Sequence, residues 1–322
     1  QFDSVLELLP GTPVADSANE YLEQLGQLTP RRWEVFVRAG MGYDSNINLA
    51  GSGDAFVSSG EQGWRATAAG GGSYQFGDEK LGLQIGQTLY GHFYTDDSRF
   101  DQQASLTWAW ANAELSESLE ADLRYGFEFS WAGWDQYRSS HNVEPGLTWE
   151  ISPLLAARAS FRFEDRTYYF TPLNDDFDRT GDVEYAGLDL FYVLPSPNPL
   201  AENWVRVGYR FRNEDSTGDQ FRSEGHQPLF TLALGLPWQI QSILDVRVEW
   251  RDYDAVSQIL NANGGPGVPR RDRIAIVRAG IERPIGERTS LEASYRYTNR
   301  DSNVDFFVYD RHEINFMATY RY

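Results

Sequence analysis

The sequence contains no cysteine, so neither a disulfide framework nor a thiolate metal site is available to it. It also lacks long apolar runs. A membrane-spanning helix needs about 18 or more consecutive apolar residues, and the uninterrupted apolar stretches here are only a handful of residues long, which excludes helical spans. Basic charge is scarce as well: 28 Lys and Arg stand against 47 Asp and Glu, for a net charge of −19. That balance argues against nucleic acid as a partner, because its binding rests on neutralising phosphates with Lys and Arg. The four histidines, His92, His141, His226 and His312, lie far apart in the chain. Ser139 and Ser140 adjoin His141, but neighbours in a strand point to opposite faces. No Ser/His or Asp/His catalytic set is legible, no enzymatic activity is expected, and no motif calls for a cofactor.

What the chain does have is alternation. Its mean hydropathy of −0.51 is that of an ordinary soluble protein, yet a transmembrane barrel hides its apolar surface in every second residue and averages hydrophilic. In Leu119 to Trp131, the residues Leu119, Ala121, Leu123, Tyr125, Phe127, Phe129 and Trp131 alternate with Glu120, Asp122, Arg124, Gly126, Glu128 and Ser130. This is a two-faced strand. A charge on the lipid face costs about 2 to 4 kcal/mol near the bilayer midplane, so the charged set is predicted to face a lumen. The same writing recurs in Leu155–Glu164, Leu244–Arg251 and Leu291–Arg300.

Further strands are predicted near Trp33–Tyr43, Trp64–Phe76, Leu81–Tyr94, Ala104–Ala113, His141–Glu150, Val183–Leu194, Val205–Arg212, Leu229–Leu236, Ile274–Glu282 and Arg311–Tyr322. The total is about fourteen, an even number as single-chain bacterial barrels require. Tight turns at Gly77–Lys80, Ser116–Ser118, Ser152–Pro153, Pro237–Ser242 and Gly286–Arg288 alternate with long polar loops at Asp44–Gly63, Phe170–Gly181, Asn213–Glu224 and Asp254–Arg270. Short periplasmic turns and long outer loops are the outer-membrane pattern. The expected fold is all-β, a transmembrane antiparallel up-and-down β-barrel in a bacterial outer membrane, with both chain ends in the periplasm. Ten Trp, 18 Tyr and 19 Phe suit the aromatic girdles of such a barrel. Expected partners are outer-membrane lipids and lipopolysaccharide, and the barrel assembly machinery through a last strand that ends on Tyr322.

Ahead of the barrel, residues 1–31 are read as a periplasmic linker or plug, with Ser17–Gln27 helical by the spacing of Ala18, Tyr21, Leu22 and Leu25 and ended by Pro30. The barrel domain is placed at 32–322. No signal peptide is visible at Gln1, so the numbering is expected to begin after processing or inside a longer precursor.

The candidate functional residues are those of the predicted lumen wall. They are Arg124, Arg158, Arg162, Arg206, Arg210, Arg247, Arg251, Arg278 and Arg296 against Glu120, Asp122, Glu128, Glu249 and Glu292, with Glu164, Asp245 and Glu282 beside them. Charge ladders of this kind tune permeation or satisfy one another across strands. The most basic sector is Arg206, Arg210 and Arg212 with Arg158 and Arg162 two strands earlier, suited to an anionic solute. Asp176, Asp178 and Asp182, and Asp301 with Asp305, show an oxygen spacing that loosely suits calcium, but neither run completes the 12-residue loop pattern. Solvated loops are the favoured reading.

Two short phrases carry a resemblance. Gly42-Tyr43-Asp44-Ser45-Asn46-Ile47-Asn48, and Tyr295-Arg296-Tyr297-Thr298-Asn299-Arg300-Asp301-Ser302-Asn303 followed by Tyr309-Asp310-Arg311, resemble the barrel ends of the surface lipoprotein assembly modifier family. Similar words occur in barrels linked to exopolysaccharide systems. The resemblance implies a fourteen-stranded barrel behind periplasmic tetratricopeptide repeats, with a client lipoprotein or an exported polymer as partner. On residues alone, three readings of function stay open: an export barrel, a porin, and a filled structural or adhesive barrel.

Overall fold

The computed structural model describes residues 32–47, 61–78, 80–172, 174–195, 203–258 and 267–322, apart from the side chain of Asp305. The expected helix at Ser17–Gln27 lies outside them. The described chain forms strands β1 (Trp33–Asp44), β2 (Gly63–Gly77), β3 (Leu81–Tyr94), β4 (Gln102–Ser116), β5 (Leu119–Ala132), β6 (Asp135–Ser152) and β7 (Leu155–Tyr168). It continues through β8 (Gly181–Val193), β9 (Trp204–Ser216), β10 (Ser223–Leu236), β11 (Ile240–Val256), β12 (Pro269–Ile285), β13 (Thr289–Ser302) and β14 (Tyr309–Arg321). Each pairs with its sequence neighbours, and β14 returns antiparallel to β1, from Phe36 opposite Arg321 to Asp44 opposite Glu313. The sheet closes into a barrel, which removes the unpaired edges that hydrocarbon forbids.

All the predicted strands are present, and most run further than predicted at the long-loop rim. There, β6 begins at Asp135 and β10 at Ser223, through the polar runs Asp135–Ser140 and Ser223–Gln227. Such residues sit above the apolar belt, where alternation of polarity has no lipid to enforce it. The two rims differ as expected, with one exception on each side. On the long-loop rim, β5 and β6 are joined only by Gly133 and Trp134, both at positive φ, +57° and +73°. That is the backbone a tight hairpin needs, and Trp134 accepts it while its indole Nε1 donates to Asp101 at 3.3 Å. On the short-turn rim, β8 and β9 are joined by residues 194–203 rather than a tight turn.

The outward face is apolar. Val37, Met41, Leu89, Leu123, Leu188, Val207, Leu291 and Phe316 are each about half exposed on it, and Leu81 more so. Aromatic side chains mark its two borders, Tyr74, Phe76, Trp149, Tyr192, Trp238 and Tyr320 at one rim and Tyr43, Trp64 and Trp250 toward the other. No single water-exposed apolar patch of a soluble protein approaches this extent. The chain is a transmembrane barrel, and hydrocarbon is the solvent of its outer face.

One strand departs from the expected polarity. Registration sets Trp108 of β4 opposite Gly86, and Trp110 opposite Gln84 and the lumen-facing Arg124, so Leu106, Trp108 and Trp110 face inward. Their neighbours Gln103, Ser105, Thr107, Ala109 and Ala111 face outward. Gly86 permits the arrangement, because a Cβ there would lie 2.5 Å from Cζ2 of Trp108.

Candidate functional site: the charged lumen wall

On most strands from β5 to β14 charged residues face inward; β10 instead presents Gln227, Leu229, Thr231 and Ala233, and β12 adds Ile274 and Ile276 between its charges. Near the short-turn half of the wall, Asp122 accepts from Arg158 Nη2 at 2.8 Å and Arg124 Nε at 3.1 Å, and Arg158 also reaches Glu144 at 3.2 Å. Asp189 takes both arms of Arg206 at 2.7 and 2.9 Å. Asp245 holds Arg247 at 2.8 Å and accepts from Thr231 at 3.0 Å. Glu292 binds both Arg38 and Arg278. Glu120 stands near the strand end, opposite Glu114 and Thr148, and is exposed.

The long-loop half is different in kind, because its charges are packed away from water. At the seam, Asp44 is fully buried and accepts from Arg311 Nε at 3.0 Å, Arg65 Nη1 at 3.2 Å and the Tyr94 hydroxyl at 2.9 Å. Arg65 reaches on to Glu313 at 3.0 Å and Asn315 at 2.9 Å. A second knot joins Glu164, Arg166, Arg179, Glu214 and Arg212, with Glu128 and Arg138 paired nearby. A third sets Asp272 between Arg270 and Arg300, with the Arg270 guanidinium 3.4 Å above the Tyr253 ring and 3.9 Å from that of Phe307. Arg251 binds Glu249 beside it. Buried charges persist when paired, and every charge in the three knots has an opposite partner. Arg65 Nε in the seam knot, and Arg270 Nε and Asp272 Oδ1 in the third, make no hydrogen bond among the described residues.

Between these halves, near the middle of the strands, guanidiniums remain in contact with water. The side chains of Arg124, Arg247 and Arg296 are 49%, 44% and 47% exposed although they face inward. Of the nine arginines picked out from the sequence, eight are in ion pairs, including Arg162 with Glu164 and Arg296 with Glu313. Arg210 is the exception among the described residues.

The acidic loop runs do not converge. Asp178 Oδ1 accepts from the Thr180 backbone N–H at 2.9 Å, Asp176 is engaged by Gln258, and Asp182 stands on the outer face between Asp165 and Asp215. Asp301 lies outward opposite Arg273, and the Asp305 side chain is outside the described set. Among the described residues, no group of three or more His, Asp or Glu is placed to hold a metal ion.

The histidines have roles that spacing did not reveal. His141, His226 and His312 face outward, and the Nδ1 of each shares a hydrogen bond with the hydroxyl of Tyr125, Tyr209 or Tyr295 on the neighbouring strand. Ser140 lies on the opposite face from His141. A signal for this geometry existed in the sequence: Tyr209–Leu232 and Tyr295–Ala318 align without a gap. The alignment superposes Arg210 on Arg296, Asn213 on Asn299, Asp215 on Asp301, Phe221 on Phe307, His226 on His312 and Phe230 on Phe316. The β9–β10 and β13–β14 hairpins are thus versions of one unit.

No protein-family model and no curated protein matches the sequence. Solved structures do match in shape. A bacterial polysaccharide outer membrane secretin superposes with a TM-score of 0.51 at 9% identity, over 90% of this chain and 98% of that one. Salmonella typhi OmpF, solved in complex with daunomycin, gives 0.51 at 9% identity, over 90% and 97%. The chain shares the fold of outer-membrane barrels. At such identity the likeness speaks for architecture alone.

Proposed function

We propose that this barrel is a water-filled passage across the bacterial outer membrane. The observation that carries the reading is the half-exposure of inward guanidiniums near mid-height, Arg124, Arg247 and Arg296. Ions that face inward and still touch water line an aqueous interior, and they tune which solutes cross. Fourteen strands fall between eight-stranded barrels filled by side chains and porins of 16 to 18 strands with aqueous channels. The long-loop rim lies outside the cell in this reading, and both chain ends lie in the periplasm. Lipopolysaccharide and outer-membrane lipid contact the apolar belt, and the last strand with Tyr322 is the handle for assembly.

A second reading, the barrel of an export component of the surface lipoprotein assembly modifier type, is favoured by one observation. The two phrases that resemble that family meet in space, Asp44 of the first with Arg311 of the second, in the buried seam knot between β1 and β14. The cargo would then be a client lipoprotein or, as with the secretin named above, a polysaccharide. Single-channel recording of the purified chain in a planar bilayer, with and without residues 1–30, separates these. Steady conductance of the whole chain supports the open passage. Conductance that appears only after residues 1–30 are removed supports a plugged export barrel, and silence of both forms contradicts an aqueous pathway.

A further inference from the structure

In a wall where guanidiniums are matched to carboxylates, Arg210 stands alone. It projects inward from the middle of β9 and, among the described residues, makes no ion pair and no side-chain hydrogen bond. The cause is one substitution between the two related hairpins. Arg296 lies opposite Glu313 and is paired with it, whereas Arg210 lies opposite Gln227, the position that corresponds to Glu313. The carboxylates that would otherwise compensate Arg210 are engaged elsewhere, Glu144 with Arg158 at 3.2 Å and Asp189 with Arg206 at 2.7 Å.

The surroundings are shaped to hold something. Arg210 lines a polar recess of about 200 Å³ together with Arg162, Arg247, Gln227 and two carboxylates, Glu144 and Glu249, each already held by another arginine, Arg158 and Arg251. Two prolines loosen the wall there. The β6–β7 register passes from Val143 opposite Phe163 to Gly146 opposite Ser160, skipping Pro145, and the β10–β11 register skips Gln227 and Pro228 in the same way. A proline cannot donate to the ladder, so the strands are less tightly tied beside the recess. The volume is below that of drug-sized pockets, which start at roughly 300 Å³, and matches a small anion or one acidic group of a larger solute.

We propose that this recess is a binding site for one oxyanion, a carboxylate or phosphate group presented from the lumen, with the Arg210 guanidinium as its main ligand and the Gln227 amide beside it. A guanidinium offers paired donors in a fork that fits such groups. The proposal deepens the reading of the lumen as an aqueous passage, because the ligand must reach mid-barrel through water. It gives that passage a preferred solute class, anions, in a chain whose net charge is −19.

The test is titration calorimetry of the full chain in detergent micelles, with sodium gluconate and with inorganic phosphate as separate probes. At least one probe binds the unaltered chain. Both Arg210→Gln and Gln227→Glu weaken that binding by about tenfold or more, the scale of one charge-assisted hydrogen bond, while Arg99→Gln, at the exposed β3–β4 connection, leaves it within about twofold. Arg210→Gln breaks no ion pair, and Gln227→Glu gives up the 3.5 Å bond from the Gln227 amide to Glu249 while installing the pair that the β13–β14 hairpin already carries; heat-modified gel migration verifies that both variants fold. Gluconate alone binding identifies the group as carboxylate; phosphate binding identifies it as phosphate. Absence of binding by either probe, or binding indifferent to both variants, overturns the site. Binding that depends on Arg210 in a barrel that never conducts leaves the site standing and overturns the passage.

Discussion

The barrel wall has two arcs that differ at one strand. From β5 to β14, large apolar residues meet lipid and charges line most of the lumen face, β10 excepted, as in Leu123 beside Arg124 and Asp122. On β4 the rule inverts: Leu106, Trp108 and Trp110 face the interior, while Ser105 and Thr107 face outward beside Gln87 of β3, whose amide donates to Ser105 at 3.3 Å. Phe36 of β1 likewise faces inward, packed so closely over Gly71 that a Cβ there would lie 2.9 Å from its ring. The comparison teaches that inward does not mean polar in a barrel. An interior aromatic is tolerated where glycines on the next strand make room, and an outward hydroxyl or amide is tolerated where it is satisfied by a neighbour.

Substitutions in the two arcs are expected to differ widely in their effect. Asp44→Ala at the seam where the arcs meet strips the shared acceptor from Arg65, Arg311 and Tyr94, and stability falls by about 3 to 5 kcal/mol, read from the urea midpoint of the folded band. Phe127→Arg on the outward side of β5 costs about 2 to 4 kcal/mol, whereas Glu128→Gln next to it costs roughly 1 kcal/mol by weakening the pair with Arg138. Equal losses from those two changes would contradict the facing of β5. Thr107→Leu, directly opposite Phe127, gains up to about 1 kcal/mol if the hydroxyl meets lipid; a loss of stability would place Thr107 inside.

The smallest effect is local and depends on pH. Asp78 in the β2–β3 turn accepts from the backbone N–H groups of Leu81 and Lys80, at 3.0 and 2.9 Å, and these hold its carboxyl below the ordinary value of 3.8. Its support for the turn is therefore present above pH 3.8 and is lost as pH falls through the lower folded value. Amide exchange at Lys80 and Leu81 should quicken over that acid range and be insensitive to it in Asp78→Ala.

Most of this architecture is legible in the sequence because one constraint, the hydrocarbon layer, writes itself into every second residue of β5, β7, β11 and β13. Where that constraint relaxes, legibility fades. The polar ends of β6 and β10 rise above the belt, and β4 alternates between aromatic and small residues without charges to orient it, so its facing emerges only from registration against Gly86 and Arg124. The lumen arginines were recognisable by parity, but pairing was not: whether Arg210 has a partner depends on residue 227 of another strand. The ungapped match of the β9–β10 and β13–β14 hairpins holds that information, and it becomes interpretable once the register sets Arg210 opposite Gln227 and Arg296 opposite Glu313.

The account stands most directly on which residues touch water inside the barrel, and the absence of cysteine makes the natural chain a ready background for measuring it. Single substitutions Thr107→Cys, Trp108→Cys, Ala109→Cys, Leu123→Cys, Arg124→Cys and Tyr125→Cys would be reconstituted in liposomes and exposed to a water-soluble maleimide. The two-arc wall predicts labelling at positions 108 and 124, and protection at 107, 109, 123 and 125. Protection at 108 with labelling at 107 would contradict the inverted strand, and protection at 124 would contradict the water-filled lumen itself.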